Sequence, residues 1–451
     1  MPKSITDVRA QSGRWYQALP TLPIVLWVCL WLNLDSGFWD LQLPQSLGDW
    51  QLLIRAVLPF AVLPLAGLLL LSRRQIHLAW NGPSRLLLLY GAIATFATVF
   101  SPEPWISAYW SIAFLATVCA SLLFPLKNDP VGATRLLLQI TWAATFIVAG
   151  IIAYRGGDLI FGGGASAYGI EGTLNDLSRS SGVARWAAIP GLVCLVRAFY
   201  TPKKIFLAFY LGVAGVSFYI VYRMQSRGAI FGAVAALLFI LLISSRMRRY
   251  ALPFAAVAVV CLVLIATPER ASSGVVTYLM RGQSSEEFQS MTGRTRAYSN
   301  GLEAFTEAPI FGRGQWADRM MIGEHVHNSF LQAMLNGGAM GAIPYLGSWI
   351  AGWLLFLRLH KRNAFLAPED RRLVLECGTV MMFFSVRAIP ETTTASFSVD
   401  LLVMVAIFVY LETLWITAKT SRRWLNLEME QFVILSPVTA LALRENGVYR
   451  R

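Results

Sequence analysis

Apolar runs close to the length of a membrane-crossing helix recur along the whole chain, and this pattern removes most folds from consideration. A helix needs about 20 apolar residues to cross the hydrocarbon core of a bilayer. Twelve candidate spans meet that need, near residues 18–34, 52–71, 86–100, 105–125, 136–154, 183–200, 205–222, 229–243, 252–267, 339–357, 373–386 and 401–418. The 183–200 and 373–386 spans are the weakest. A length of 451 residues would suggest about three soluble domains. Charged residues make up only 14% of the chain, against about 25% in soluble domains. The reading is therefore one all-α polytopic membrane domain over residues 1–423, followed by a cytoplasmic tail, 424–451.

Basic residues favour the cytoplasmic side of a membrane protein. With the N-terminus inside, alternation over twelve spans places 25 of the 38 basic residues on the inner side. Both termini are then cytoplasmic, and the net charge of +13 reflects topology rather than nucleic-acid binding. The outer side receives a medium loop, 155–182, and a long loop, 268–338, with room for short helices. The remaining basic residues fall on this side, and every one is an arginine. Arginine forms permanent, bidentate contacts with phosphate, and topology gives no reason for its presence there.

Four outer elements stand out. Gln225-Ser226-Arg227-Gly228 forms a tight turn that places Arg227 at the mouth of the bundle, where it can bind an anion or snorkel to headgroups. Thr292-Gly293-Arg294-Thr295-Arg296 opens an amphipathic stretch with Tyr298, Leu302 and Phe305 on one face, ending before Pro309. Its arginines are either anion ligands at a helix N-terminus or solvated surface groups. His325-Val326-His327-Asn328 precedes Phe330, Leu331, Met334 and Leu335 on one helical face, with Gly337-Gly338 able to end that helix. His327 thus stands at the start of a short helix; it is either a proton acceptor or a hydrated loop histidine. Arg387 and Glu391 lie between the last two spans and can pair to brace the bundle.

Cys29, Cys119, Cys194, Cys261 and Cys377 lie in apolar runs and suggest no disulfide framework. His325 and His327 lack a third His or Cys on their side, so no zinc site is read. No Asp-x-Asp occurs in the outer segments to hold a divalent cation. Arginines would have to counter the charge of a diphosphate, at roughly 1.5–3 kcal/mol per charge-assisted hydrogen bond.

His327-Asn328 followed by Gly338 and Gly341 resembles the signature of the bacterial O-antigen ligase and polymerase superfamily. Ser226-Arg227-Gly228, Gly293-Arg294 and Pro309-Ile310-Phe311-Gly312 precede it in the family's order. The resemblance covers residues 223–345 and the twelve-span layout. Two positions depart from the pattern: Arg179-Ser180-Ser181-Gly182 replaces an Asn-Pro-Asn element, and Ala342 replaces a threonine.

The resemblance implies a GT-C-like fold in the bacterial inner membrane with a periplasmic site. The donor would be a glycan on undecaprenyl diphosphate, and the acceptor a lipid A core or a second lipid-linked glycan. Transfer would be inverting and metal-independent, with no cofactor. His327 would be the base, Arg227 and Arg294 would bind diphosphate, and Arg296 would assist. Arg179, Arg387, Asn328 and His325 are further candidates. A ligase is favoured over a polymerase. A secondary transporter is the alternative from another class, but mid-span segments are nearly free of the charges it would use, and the halves show no repeat.

Overall fold

The computed structural model describes residues 21–33, 45–72, 82–161, 180–244 and 294–420. The ninth span, the tail, Arg179 and the loop portion 268–293 lie outside the described residues. The described residues are all helical apart from turns and contain no strand. The helices are α1 (Leu22–Leu32), α2 (Gln45–Ser72), α3 (Pro83–Phe96), α4 (Pro104–Ser121), α5 (Pro130–Arg155), α6 (Gly157–Phe161) and α7 (Ser180–Tyr200). They continue as α8 (Lys204–Arg223), α9 (Arg227–Ile243), α10 (Arg294–Glu307), α11 (Ala317–Met321), α12 (Ser329–Lys361), α13 (Pro368–Arg387) and α14 (Val399–Thr420).

Eleven of the twelve expected spans coincide with helices, and the remaining one is 252–267. Among the described residues, seven helical segments are long and apolar enough to cross a membrane, and three shorter apolar helices accompany them. The chain is thus a polytopic all-α membrane protein. Proline starts several helices, at Pro83, Pro104, Pro130 and Pro368, where its missing N–H costs nothing. Pro59, Pro64, Pro190 and Pro344 lie inside helices, as membrane helices tolerate when neighbours satisfy the freed backbone.

α14 is the axis of the bundle. Residues Leu401 to Leu411 are all buried, so neighbouring helices rather than lipid cover every face of this apolar stretch. It packs against α3, α4, α5, α12 and α13. α13 carries polar residues that the sequence pattern left unexplained. Arg135 donates two hydrogen bonds to Asp370, at 2.7 and 2.6 Å, and Tyr410 donates a third at 2.9 Å. Glu376 is fully buried and accepts from Arg197 at 3.1 Å, with Arg372 at 3.3 Å. The expectation of nearly charge-free spans therefore fails at Glu376, whose charge is compensated within the bundle. Roughly 16 Å along α13 from Glu376, Arg387 pairs with Asp400 at 2.9 Å, and Asp400 also pairs with Arg185 at 3.1 Å. Basic groups assigned to opposite sides by alternation thus gather at opposite ends of this helix.

At the Arg387 end, α10, α11 and the first two turns of α12 form a cap over their own small core. Ala304, Ala317, Val326, Leu331 and Leu335 are its buried members, with Tyr298, Phe305 and Met334 packed against them. The expected α10 face is corrected at Leu302, which is 54% exposed. Gly301 faces inward instead, so close to Val326 and Leu331 that a Cβ would lie 2.9 and 3.0 Å from their side chains.

α12 is two helices joined at Gly338, whose φ of 60° and ψ of −163° are non-helical. The break frees backbone groups that must be paired inside a bilayer protein. The Pro309–Gly314 segment pairs them. Arg313 and Gly314 donate to the carbonyls of Leu335 and Asn336, both at 2.9 Å. Ala339 and Met340 donate to Pro309 and Ile310 at 2.8 and 3.1 Å. Gly312 and Gly338 meet backbone to backbone, and a Cβ on Gly338 would collide with the Ile310 carbonyl.

Gly338→Ala should therefore lower stability by at least about 2 kcal/mol, combining a left-handed φ with a backbone collision. Reversible unfolding in mixed micelles would read this, and a variant as stable as the wild type would refute the backbone-contact account.

Candidate functional site

α12 begins with a side-chain cap. Asn328 Oδ1 accepts from the N–H groups of Phe330 and Leu331 at 3.0 and 2.9 Å, satisfying donors that a helix start leaves open. Its amide also donates to the Ile389 carbonyl at 3.0 Å. Immediately before the cap, His327 has a φ of +49°, an uncommon conformation for a side chain with a Cβ. The Tyr298 hydroxyl lies 3.2 Å from the His327 carbonyl and 3.1 Å from that of Ile389, so that its one hydrogen is shared between them. Backbone strain of this kind persists only where surrounding contacts fix it.

The imidazole Nδ1 of His327 lies 3.3 Å from Glu391 Oε2. The other oxygen, Glu391 Oε1, accepts from Arg294 at 2.7 Å. One carboxylate thus joins residues 64 and 97 positions away in the chain. In the neutral imidazole, a hydrogen on Nδ1 facing Glu391 leaves the Nε2 lone pair free. Gly228 packs on the same corner, where a Cβ would contact Pro390 at 3.4 Å and Glu391 at 3.7 Å. This brings the start of α9, with Arg227, beside the cluster. Gln225, two residues earlier, also has a positive φ, of 47°.

Burial raises the Glu391 pKa, but the His327 hydrogen bond and the charges of Arg387 and Arg294 outweigh it and hold the carboxyl down at about 2. The expected Arg387–Glu391 pair is replaced by two separate bonds. Arg387 is buried against Asp400, while Glu391 turns to Arg294. Main-chain contacts set this arrangement: Ser329 N donates to the Ala388 carbonyl at 3.0 Å, and its hydroxyl accepts from Thr393 N at 2.7 Å. The 388–398 turn is thereby strapped to the start of α12.

A second histidine–carboxylate pair lies alongside. His325 Nδ1 is 2.7 Å from Asp318 Oδ2. Asp318 also accepts from Val326 N at 3.2 Å and Gln332 at 3.0 Å. Its carboxyl is buried, which alone would raise its pKa, yet His325 and the other donors bring it below the usual range. Gln332 donates onward to Asn336, which donates to Gln315 and to the Tyr90 hydroxyl. This network anchors the histidine segment to α3. The His325 and His327 rings stand 4.7 Å apart and line a cavity of about 510 Å³ with Arg319, Gly323 and Glu324.

The structure therefore joins Arg294, His327 and, through Gly228, the Arg227 turn. Arg296 is exposed in the first turn of α10. Asn328 is committed to capping, and His325 to Asp318. Sequence reasoning missed Glu391 as a hub, although it is the sole acidic residue between Arg387 and Ser398. Asp318, Asp400 and Arg319 lie outside the four motifs, and their contacts with His325, Arg387 and Trp316 follow from the fold rather than from a recognisable spacing. Among the described residues, no three His, Cys, Asp or Glu side chains are grouped as a metal would need.

What the fold and this corner define is a class: an all-α polytopic membrane protein with an arginine-, histidine- and carboxylate-bearing site at one end of its bundle. Residues 212–346 match the family described as O-antigen ligase. The matched segment includes Arg227, Arg294 and His327 and stops short of Glu391. No curated protein matches the chain.

Because the folded Glu391 carboxyl titrates below its ordinary value of 4.5, its stabilising contribution is complete above about pH 5 and fades as pH falls toward 2. Glu391→Gln should remove that part of the acid dependence. Unfolding midpoints between pH 3 and 7 would test this, and identical slopes for variant and wild type would contradict the linkage.

Proposed function

We propose that the protein transfers a glycan from undecaprenyl diphosphate to an acceptor hydroxyl at the periplasmic face of the bacterial inner membrane. The favoured reaction is O-antigen ligation to a lipid A core in lipopolysaccharide biosynthesis. The observation that carries this reading is the joining of Arg294 to His327 through Glu391, in a chain whose residues 212–346 are similar to the O-antigen ligase family.

In this reading Glu391 fixes the tautomer and orientation of His327, as a carboxylate does for a catalytic imidazole. Nε2 takes the proton from the acceptor hydroxyl. The acceptor oxygen bonds to the anomeric carbon from the face opposite the diphosphate, and configuration inverts. The bond between that carbon and the phosphate oxygen breaks, and its electron pair leaves with undecaprenyl diphosphate. Arg227 and Arg294 stabilise that charge, with Arg296 as a helper whose exposed side chain can reach a membrane-borne ligand. Arg387 and Asp400 position the turn that carries Glu391. Both termini are cytoplasmic, as the distribution of basic residues indicates.

Transfer should be measured with purified protein reconstituted with undecaprenyl-diphosphate glycan and either lipid A core or a second lipid-linked glycan. His327→Ala should slow transfer by roughly 10²–10⁴-fold, with an unchanged melting profile. Glu391→Gln should lower kcat less severely and shift its pH profile. A His327→Ala protein that keeps more than about a tenth of wild-type activity would sink the base assignment, because a general base contributes more than that. Consumption of the second lipid-linked glycan in place of lipid A core would make the enzyme a polymerase.

A further inference from the structure

We propose that Arg319 binds an anionic group on the acceptor saccharide, so that the cavity at His327 is an acceptor subsite selective for phosphorylated or carboxylated sugars. The inference rests on the glycan-transfer reading of the site. Its basis is a stacked platform on the cavity wall. The Arg319 guanidinium lies over the Trp316 ring, 3.7 Å from its centre. Trp316 in turn stacks on Trp110, with centroids 4.0 Å apart and planes only 4° from parallel. Trp316 has a φ of +73°, a strained conformation for a bulky residue. That strain aims the indole between Trp110 and Arg319.

A guanidinium stacked by its face is held in one plane, with its N–H groups directed outward along the edge. Those groups suit an oxyanion approached in that plane. The cavity of about 510 Å³ falls within the range of small-molecule sites. Gly323 and Glu324 share its wall, and the Glu324 carboxylate can accept from sugar hydroxyls.

The position relative to His327 assigns this site to the acceptor. The Nδ1 edge of His327 is occupied by Glu391, which also holds Arg294. The proposed diphosphate arginines are therefore on the Glu391 side of the ring. Arg319 lines a cavity together with His327 and His325, and Arg294 is not among its lining residues. A base must touch the hydroxyl it deprotonates, so the molecule filling this cavity is the one that carries that hydroxyl.

The test is calorimetric titration of the detergent-solubilised full chain with lipid-free core oligosaccharide, either phosphorylated or treated with phosphatase. Wild type should bind the phosphorylated form about tenfold or more tightly than the treated form, the range expected for a charge-assisted contact. Arg319→Gln should lose that preference, and Arg319→Lys should keep part of it. Binding of undecaprenyl diphosphate should be unchanged in both variants. Equal binding of the two oligosaccharides by wild type, or binding of neither, overturns the proposal without recourse to any variant. So does an Arg319→Gln protein that loses undecaprenyl diphosphate as well, since Arg319 would then serve the donor. Failure of the transfer reading is seen separately, as undiminished transfer by His327→Ala, and would leave these affinities as they are.

Discussion

The broken helix at Gly338 depends on four main-chain hydrogen bonds from a segment that is not helical. In a bilayer protein an open backbone group has no water to turn to. The Pro309–Gly314 segment closes the gap from both sides, accepting from Ala339 and Met340 and donating to Leu335 and Asn336. Everything at the His327 end hangs from this crossing. It fixes the upper half of α12, which carries Asn328 and His327 at its start. It also sets α10 before it and α11 after it, and therefore Arg294 on one side and Arg319 on the other. The glycines at 312 and 338 are needed because the two backbones touch.

Charge organises the remainder. Arg185 and Arg387 share Asp400, while Arg294 and His327 share Glu391. Buried ion pairs are weak evidence for stability, since desolvation offsets much of the attraction. Their value here is geometric. Each carboxylate binds groups from helices that do not adjoin in sequence, and so fixes the relative positions of α7, α10, α12, α13 and α14. Among the described residues, three that are not glycine have positive φ: Gln225, Trp316 and His327. Trp316 stands immediately before a helix start, and Gln225 and His327 two residues before one, all at this end of the molecule.

The sequence made the helices legible wherever apolar length alone decides them, as in α3 to α5, α8 and α14. It also made His327, Arg227 and Arg294 legible, because each sits in a short motif. Asn328 was visible within the motif, but its work as a helix cap depends on where α12 starts. Leu302 misled because helical periodicity gives a face only to within one flank, and the inward position belonged to Gly301. Glu391 and Asp318 were hidden for a different reason. A carboxylate that joins distant segments leaves no local pattern, and the nearby Arg387 offered a plausible but incorrect partner. Glu376 was hidden by the rule that spans avoid charge, which holds only when no compensating arginine is within reach.

α7 carries both Arg185 and Arg197, and their acidic partners lie far downstream. Glu376 follows Arg197 by 179 residues, and Asp400 comes later still. A chain made from its N-terminus must therefore place a doubly cationic helix in or beside the lipid well before either counter-charge has been synthesised. Both arginines lie near the ends of α7, where long side chains reach toward the interface until the carboxylates arrive. The charges of α7 are thus matched only once α13 and α14 are made. The bundle closes around α14, its axis.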